Sequence, residues 1–152
     1  MTAPELRFAF EITVDVHAAL DLGQTQAGHR RVIPIAGGAV SGPKLQGRIL
    51  PGGADSQILR PDGTADLEAR YTIQADDAAL IYVVNRGLRH GPRDVLARLN
   101  QGEQVDPASY YFRSAAVFET SAPQHVWLTR AVVIGAGERY PGKVVIRFWE
   151  VL

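Results

Sequence analysis

"LRFAFEITVDV", residues 6–16, decides the fold class. Leu6, Phe8, Phe10, Ile12, Val14 and Val16 alternate with Arg7, Ala9, Glu11, Thr13 and Asp15. A period of two sends these sets to opposite faces of a β-strand, and no helical stripe reproduces it. Similar runs follow at 30–40, 45–50, 65–75, 78–87, 108–120, 125–135 and 143–152. Turn chemistry separates them: Arg60-Pro61-Asp62-Gly63, Gly135-Ala136-Gly137 and Pro141-Gly142.

One segment breaks the alternation. In "HGPRDVLARLNQGE", 90–103, Pro92 suits a first helical turn, Asp94 the N-terminal dipole and Gly102 a C-terminal stop. Val95, Leu96 and Leu99 form a narrow apolar stripe, so a short helix near 92–101 should dock on the sheet. The whole chain of 152 residues reads as one domain, 1–152, with no linker or repeat. Its class is all-β. Long first and last strands would be exposed edges unless they pair with each other. That closure favours a single antiparallel β-barrel of about eight to ten strands, with room for packed side chains or one small ligand.

Sixteen basic and sixteen acidic side chains cancel, which removes the basic surplus a nucleic-acid or anionic-membrane partner would need. The N-terminal stretch carries Glu5, Arg7 and Glu11 within its apolar residues, unlike a signal peptide. No run reaches the ~18 apolar residues of a membrane helix, so a cytoplasmic location is expected. Without cysteine there is no thiol nucleophile or Cys-based zinc site. His17, His29, His90 and His125 stand apart, with no metal-ligand spacing between them, so no metal and no cofactor are expected. "AGGAVSG" lacks the strand–loop–helix setting of a phosphate loop, and no Gly-x-Ser-x-Gly elbow is present.

"GGAVSGPKLQGRILPGGAD" (37–55), "LEARYTI" (67–73), "YYFRSAAVFET" (110–120) and "VWLTRAVVIGAGER" (126–139) together resemble the bacterial and fungal family called domain of unknown function 3237. The resemblance spans nearly the whole chain and implies a compact antiparallel β-barrel with a short helix. It implies no established activity. The family usually has an aromatic, typically Trp, after the Asp of the glycine turn, where this chain has Ser56. The proline usual before the phenylalanine of the Phe-Glu-Thr piece is replaced at Ala116.

Several polar residues are candidates for chemistry. Asp55 follows a glycine pair that can bend freely, so a turn at the barrel rim could aim its carboxylate into the mouth as a general base, or leave it capping its own backbone. Glu68 and Arg70 share one strand face, opposite Leu67, Ala69, Tyr71 and Ile73. They are a surface pair if the apolar set fills the barrel, and a buried pair if the strand inverts. Arg113 and Glu119 share a face with Tyr111. There a guanidinium could fork onto an oxyanion, or Glu119 could form a cross-strand salt bridge with Arg70 or Arg130. Tyr82 and Trp127 offer amphipathic surface at a barrel mouth, or plain core.

The expectation is a cofactor-independent lyase or isomerase with Asp55 or Glu119 as base and Arg70 or Arg113 on an oxyanion. Glu68, Tyr71, Tyr82 and Trp127 would contact a small-molecule ligand, with a carboxylate a natural handle for the arginines. The alternatives are a noncatalytic carrier and a structural module with a filled barrel. "ALIYVV" and "KVVIRFW" are apolar on both faces, which suggests a homodimer formed through an outer wall.

Overall fold

The computed structural model describes residues 1–152 and is built almost entirely of antiparallel strands. In chain order these are β1 (Leu6–Val16), β2 (Leu20–Thr25), β3 (Gly28–Ser41), β4 (Gly47–Ile49), β5 (Ala54–Leu59), β6 (Ala65–Ala75) and β7 (Leu80–His90). Helix α1 (Arg93–Asn100) follows, then β8 (Tyr111–Glu119), β9 (Val132–Tyr140) and β10 (Lys143–Val151). The sheet runs β1-β10-β9-β8-β7-β6, continues through β4 and β5 to β3, and closes where β3 pairs with β1. The result is a closed eight-stranded barrel with two extra strands. No helix is long and apolar enough to cross a membrane.

The first and last strands pair as the edge argument requires, from Leu6 opposite Val151 to Asp15 opposite Lys143. The ladder ends with the Leu152 N–H donating to the Glu5 carbonyl at 2.9 Å. Ion pairs lie on its outer surface, among them Arg147 to Glu11 at 2.7 Å. Closure on the other side brings β3 against β1, and a Cβ at Gly38 would stand 2.2 Å from the Thr13 carbonyl oxygen. Only glycine lets the backbones approach so closely. The glycine-rich stretch therefore closes the barrel.

The alternation in β1 does not run unbroken. A register shift between Phe8 and Phe10 makes a bulge, so Ala9 and Phe10 are both buried while Leu6 and Phe8 turn outward. Beyond the bulge, Phe10 packs with Phe118 and Phe148, which fill one end of the barrel with Ile73, Ile81 and Leu128. Burial of such side chains contributes roughly 1.5–3 kcal/mol each.

Helix α1 forms where the sequence places it, with Val95, Leu96 and Leu99 buried. Gly102 adopts φ +82°, and its N–H donates to the Leu99 carbonyl while that of Glu103 donates to Arg98. This pair of bonds satisfies the last carbonyls and stops the helix. Elsewhere the strand readings need correction. Residues 125–135 are not one strand, because a 3-10 helix occupies Pro123–Thr129 and β9 starts at Val132. Pro123 lacks the N–H a ladder would use. Strands β2 and β5 carry no visible apolar alternation in sequence, yet both pair with β3.

Candidate functional site

The barrel is not filled. A cavity of about 430 Å³ occupies its other half, within the range typical of small-molecule sites. Its mouth is framed by His17–Ala19 after β1, Asn100–Glu103 at the end of α1, and Tyr140–Gly142 between β9 and β10. One wall is aliphatic: Ile12 and Val14 from β1, Ile33 and Ile35 from β3, Val144 and Ile146 from β10. The facing wall, carried by β5 to β9, holds Asp55, Gln57, Tyr71, Asn85, Arg89, Ser114 and Arg139.

Register explains how these polar groups converge. Asp55 lies opposite Ala69, which lies opposite Asn85 on β7. Two residues along, Gln57 lies opposite Leu67, Leu67 opposite Gly87, and Gly87 opposite Ser114. A further step along β7 places Arg89 opposite Phe112, with the guanidinium 5.8 Å from the ring centroid. Arg139 lies on the inward face of β9 in phase with Val133, Gly135 and Gly137. Alternation thus sends all of them into the lumen.

Asp55 is therefore a strand residue, not the tip of a rim turn. Its Oδ2 accepts a 2.8 Å hydrogen bond from Gln57 Nε2, which fixes the carboxyl plane. Its Oδ1 is buried with no partner in the protein. The Gln57 side-chain oxygen, Tyr71 hydroxyl, Asn85 oxygen, Ser114 hydroxyl and an Arg139 nitrogen are orphaned likewise. Every one of these atoms belongs to a residue lining the same cavity. Buried polar groups in native proteins are normally paired, so such a concentration makes this cavity the candidate functional site.

Burial raises the proton affinity of the Asp55 carboxyl, and only partly do the Gln57 hydrogen bond and the nearby Arg89 and Arg139 charges oppose it. Arg89, 3% exposed, makes no side-chain hydrogen bond. Burial and then the like charge of Arg139 push it down to about 10, which leaves it charged at neutral pH. Arg139 is lowered chiefly by burial and next by Arg31. Arg31 has one partner, donating to Asn100 Oδ1 at 3.2 Å and so tying β3 to the end of α1. The Tyr71 hydroxyl, buried without a partner, is pushed up by desolvation and stays a proton donor.

The other sequence candidates lie elsewhere. Glu68 and Arg70 point outward, because Leu67, Ala69, Tyr71 and Ile73 take the inner face; the two form a 2.7 Å ion pair that Arg86 joins at 3.3 Å. Arg113 and Glu119 are exposed outside while Phe112 and Phe118 point in, and Glu119 forms no salt bridge with Arg70 or Arg130. Tyr82 borders an outer cleft beside Arg70, across the wall from the cavity. Trp127 sits against Lys44, whose Nζ lies 3.8 Å over its ring, at a distance from the luminal polar wall. Of the eight candidates only Asp55 and Tyr71 line the cavity. Ser56, where the family usually has an aromatic, faces that outer cleft and leaves the lumen untouched.

Gln57, Asn85, Arg31, Arg89, Ser114 and Arg139 join the lining without any motif that announces them in the sequence. Their signal is phase: Asn85 and Arg89 continue the face of Ile81 and Val83, and Arg31 that of Ile33 and Ile35. No three His, Asp or Glu side chains gather where they could hold a metal ion.

A family described as "Protein of unknown function (DUF3237)" matches residues 4–151. The chain belongs to this family. A relative named UPF0311 protein, from Rhodopseudomonas palustris, is 43% identical over 148 residues, or 97% of each chain. The crystal structure of a conserved protein of unknown function from the same species superposes with a TM-score of 0.96 at 41% identity, covering 100% of both chains. A more distant relative is named hydroalkoxylation enzyme phnH, from Penicillium herquei. It is 24% identical over 150 residues, covering 99% of this chain and 85% of that protein.

Proposed function

We propose that the lumen catalyses addition or elimination of a hydroxyl group across a carbon–carbon double bond, with Asp55 as the proton-transferring group. The observation that carries this reading is the free Oδ1 of Asp55, buried, oriented through its other oxygen and lining one lumen with the unpaired guanidinium groups of Arg89 and Arg139. A carboxyl of raised proton affinity can hold a proton in an enclosed site and release it to carbon as charge develops. Arg89 and Arg139 are set to stabilise the oxyanion of the reacting hydroxyl. In the addition direction the substrate O–H gives its proton to the carboxylate. The protonated Asp55 then delivers a proton to one alkene carbon, the oxygen bonds to the other, and an ether results. Elimination is the same path reversed, and neither direction consumes an oxidant or a reductant. The name of the fungal relative describes such an addition, which supports the reading.

The test uses ortho-prenylphenol and its ring-carboxylated analogue, followed by chromatography and mass spectrometry in H₂O and D₂O. Cyclic ether should form, with one deuterium on carbon in D₂O. Asp55→Asn should lower the rate about 10²–10⁴-fold while the analogue still binds. Undiminished turnover in Asp55→Asn would sink the role of Asp55. The unpaired arginines also suit a noncatalytic carrier, which the same variant would reveal by lost binding with no turnover to lose.

A further inference from the structure

The lumen carries more positive charge than its chemistry requires. Arg31, Arg89 and Arg139 line the cavity, and Asp55 is the carboxylate among them. With Asp55 ionised the balance is three positive against one negative, an excess of two. Glu103 does not correct it, since it lies at the rim, exposed, with Arg98 3.6 Å away. Arg89 has no hydrogen-bond acceptor within the protein, and an Arg139 nitrogen is buried without one. Unpaired charges in a protein interior are strongly unfavourable, so their retention points to an occupant that supplies the missing anions.

The rest of the cavity sets the shape of that occupant. Facing the polar groups is a continuous aliphatic wall of Ile12, Val14, Ile33 and Ile146, against which only an apolar skeleton gains from burial. We propose that the ligand is an amphipathic organic dianion: an apolar skeleton bearing two separate acidic oxygen groups, carboxylate or ionised phenol or enol, held by Arg89 and Arg139 with Arg31 nearer the mouth. One group is the reacting oxygen, which becomes anionic as its proton passes to the Asp55 carboxylate, and the second, ionised on entry, anchors the molecule. This names the substrate class of the lumen reading and rests on the lumen being the working site.

The experiment measures calorimetric binding of naphthalene-dicarboxylate, its dimethyl ester and 1-naphthyl phosphate to the full chain. Each of two charge-assisted contacts contributes a factor of about ten or more, so the dicarboxylate should bind roughly 100-fold more tightly than the diester. Arg89→Met and Arg139→Met should each shrink that preference by about tenfold. Equal or tighter binding of the diester overturns the proposal, as does failure of all three probes to bind at millimolar concentration. Tighter binding of the phosphate, whose charges sit on one group, overturns the two-group assignment. Should either variant fail to fold, the comparison of dicarboxylate with diester on the unaltered protein still decides. Dicarboxylate preference without ether formation from either phenol would sink the catalytic reading and leave this one standing; ether formation with diester preference would do the reverse.

Discussion

Strand β7 carries two arginines three positions apart, and they live in opposite worlds. Arg86 projects outward and meets Glu68, which also pairs with Arg70 in a solvated cluster. Arg89 projects inward, is almost wholly buried, and meets no acceptor. The outer cluster is satisfied in sight of water, where such pairs contribute little. The inner one is unsatisfied where charge is hardest to bear. Satisfied charge on the outside is what any folded protein shows. Unsatisfied charge on the inside is what the proposed anionic ligand would neutralise.

The contrast breaks most readily at Arg89. If its guanidinium is a cost to the empty protein, Arg89→Met should stabilise the ligand-free fold by about 1–3 kcal/mol. Thermal and urea unfolding would read that as a rise of several degrees, at roughly 2–4 °C per kcal/mol for a domain of this size. Destabilisation instead would mean that the charge is compensated within the barrel.

A smaller effect, graded by pH, is expected at Asp55. Burial raises the folded carboxyl above the ordinary value of 3.8, so between that value and the folded one the unfolded chain has released a proton that the folded chain still holds. Stability linked to this group is therefore full below pH 3.8 and is lost as pH rises through the folded value. Asp55→Asn should remove the loss, leaving the variant increasingly more stable than the parent as pH climbs, by about 1.4 kcal/mol per unit of separation. A pH-independent difference between the two proteins would refute it.

The smallest effect belongs to the outer cluster. Glu68→Ala and Arg70→Ala should each change stability by less than about 1 kcal/mol, less still in high salt, and leave ligand affinity unaltered. A large loss of affinity in either would move the working site to the outer cleft.

These residues also show what the sequence makes legible. Closure of the barrel follows from long alternating strands at both ends of the chain, and the helix from one apolar stripe with a glycine stop. The site was half visible. Asp55 stands out as an acid after a glycine turn, but its strand hides because β5 inverts the usual pattern, turning Asp55 and Gln57 inward and Ser56 and Ile58 to the outer face. A polar lumen erases the alternation by which a strand is recognised. Arg89 hides differently. It continues an apolar face that reads as core, and nothing in a single strand shows that the facing wall stops short of it. Glu68 and Arg70 stand in a family motif, and their strand alone allows either face; only the packing of Leu67 and Tyr71 inside the barrel assigns them outward.

Pairing of β1 with β10 has an engineering consequence. The Leu152 N–H meets the Glu5 carbonyl, so the two ends of the chain lie side by side at the seam of the barrel. A short polar linker can join them without disturbing the ladder, and the exposed turn at Gln26–Ala27 beyond the barrel wall offers a place for new ends. Such a permuted chain would keep the β1–β10 seam covalently closed and carry both termini on the β2–β3 hairpin, where a reporter could be fused.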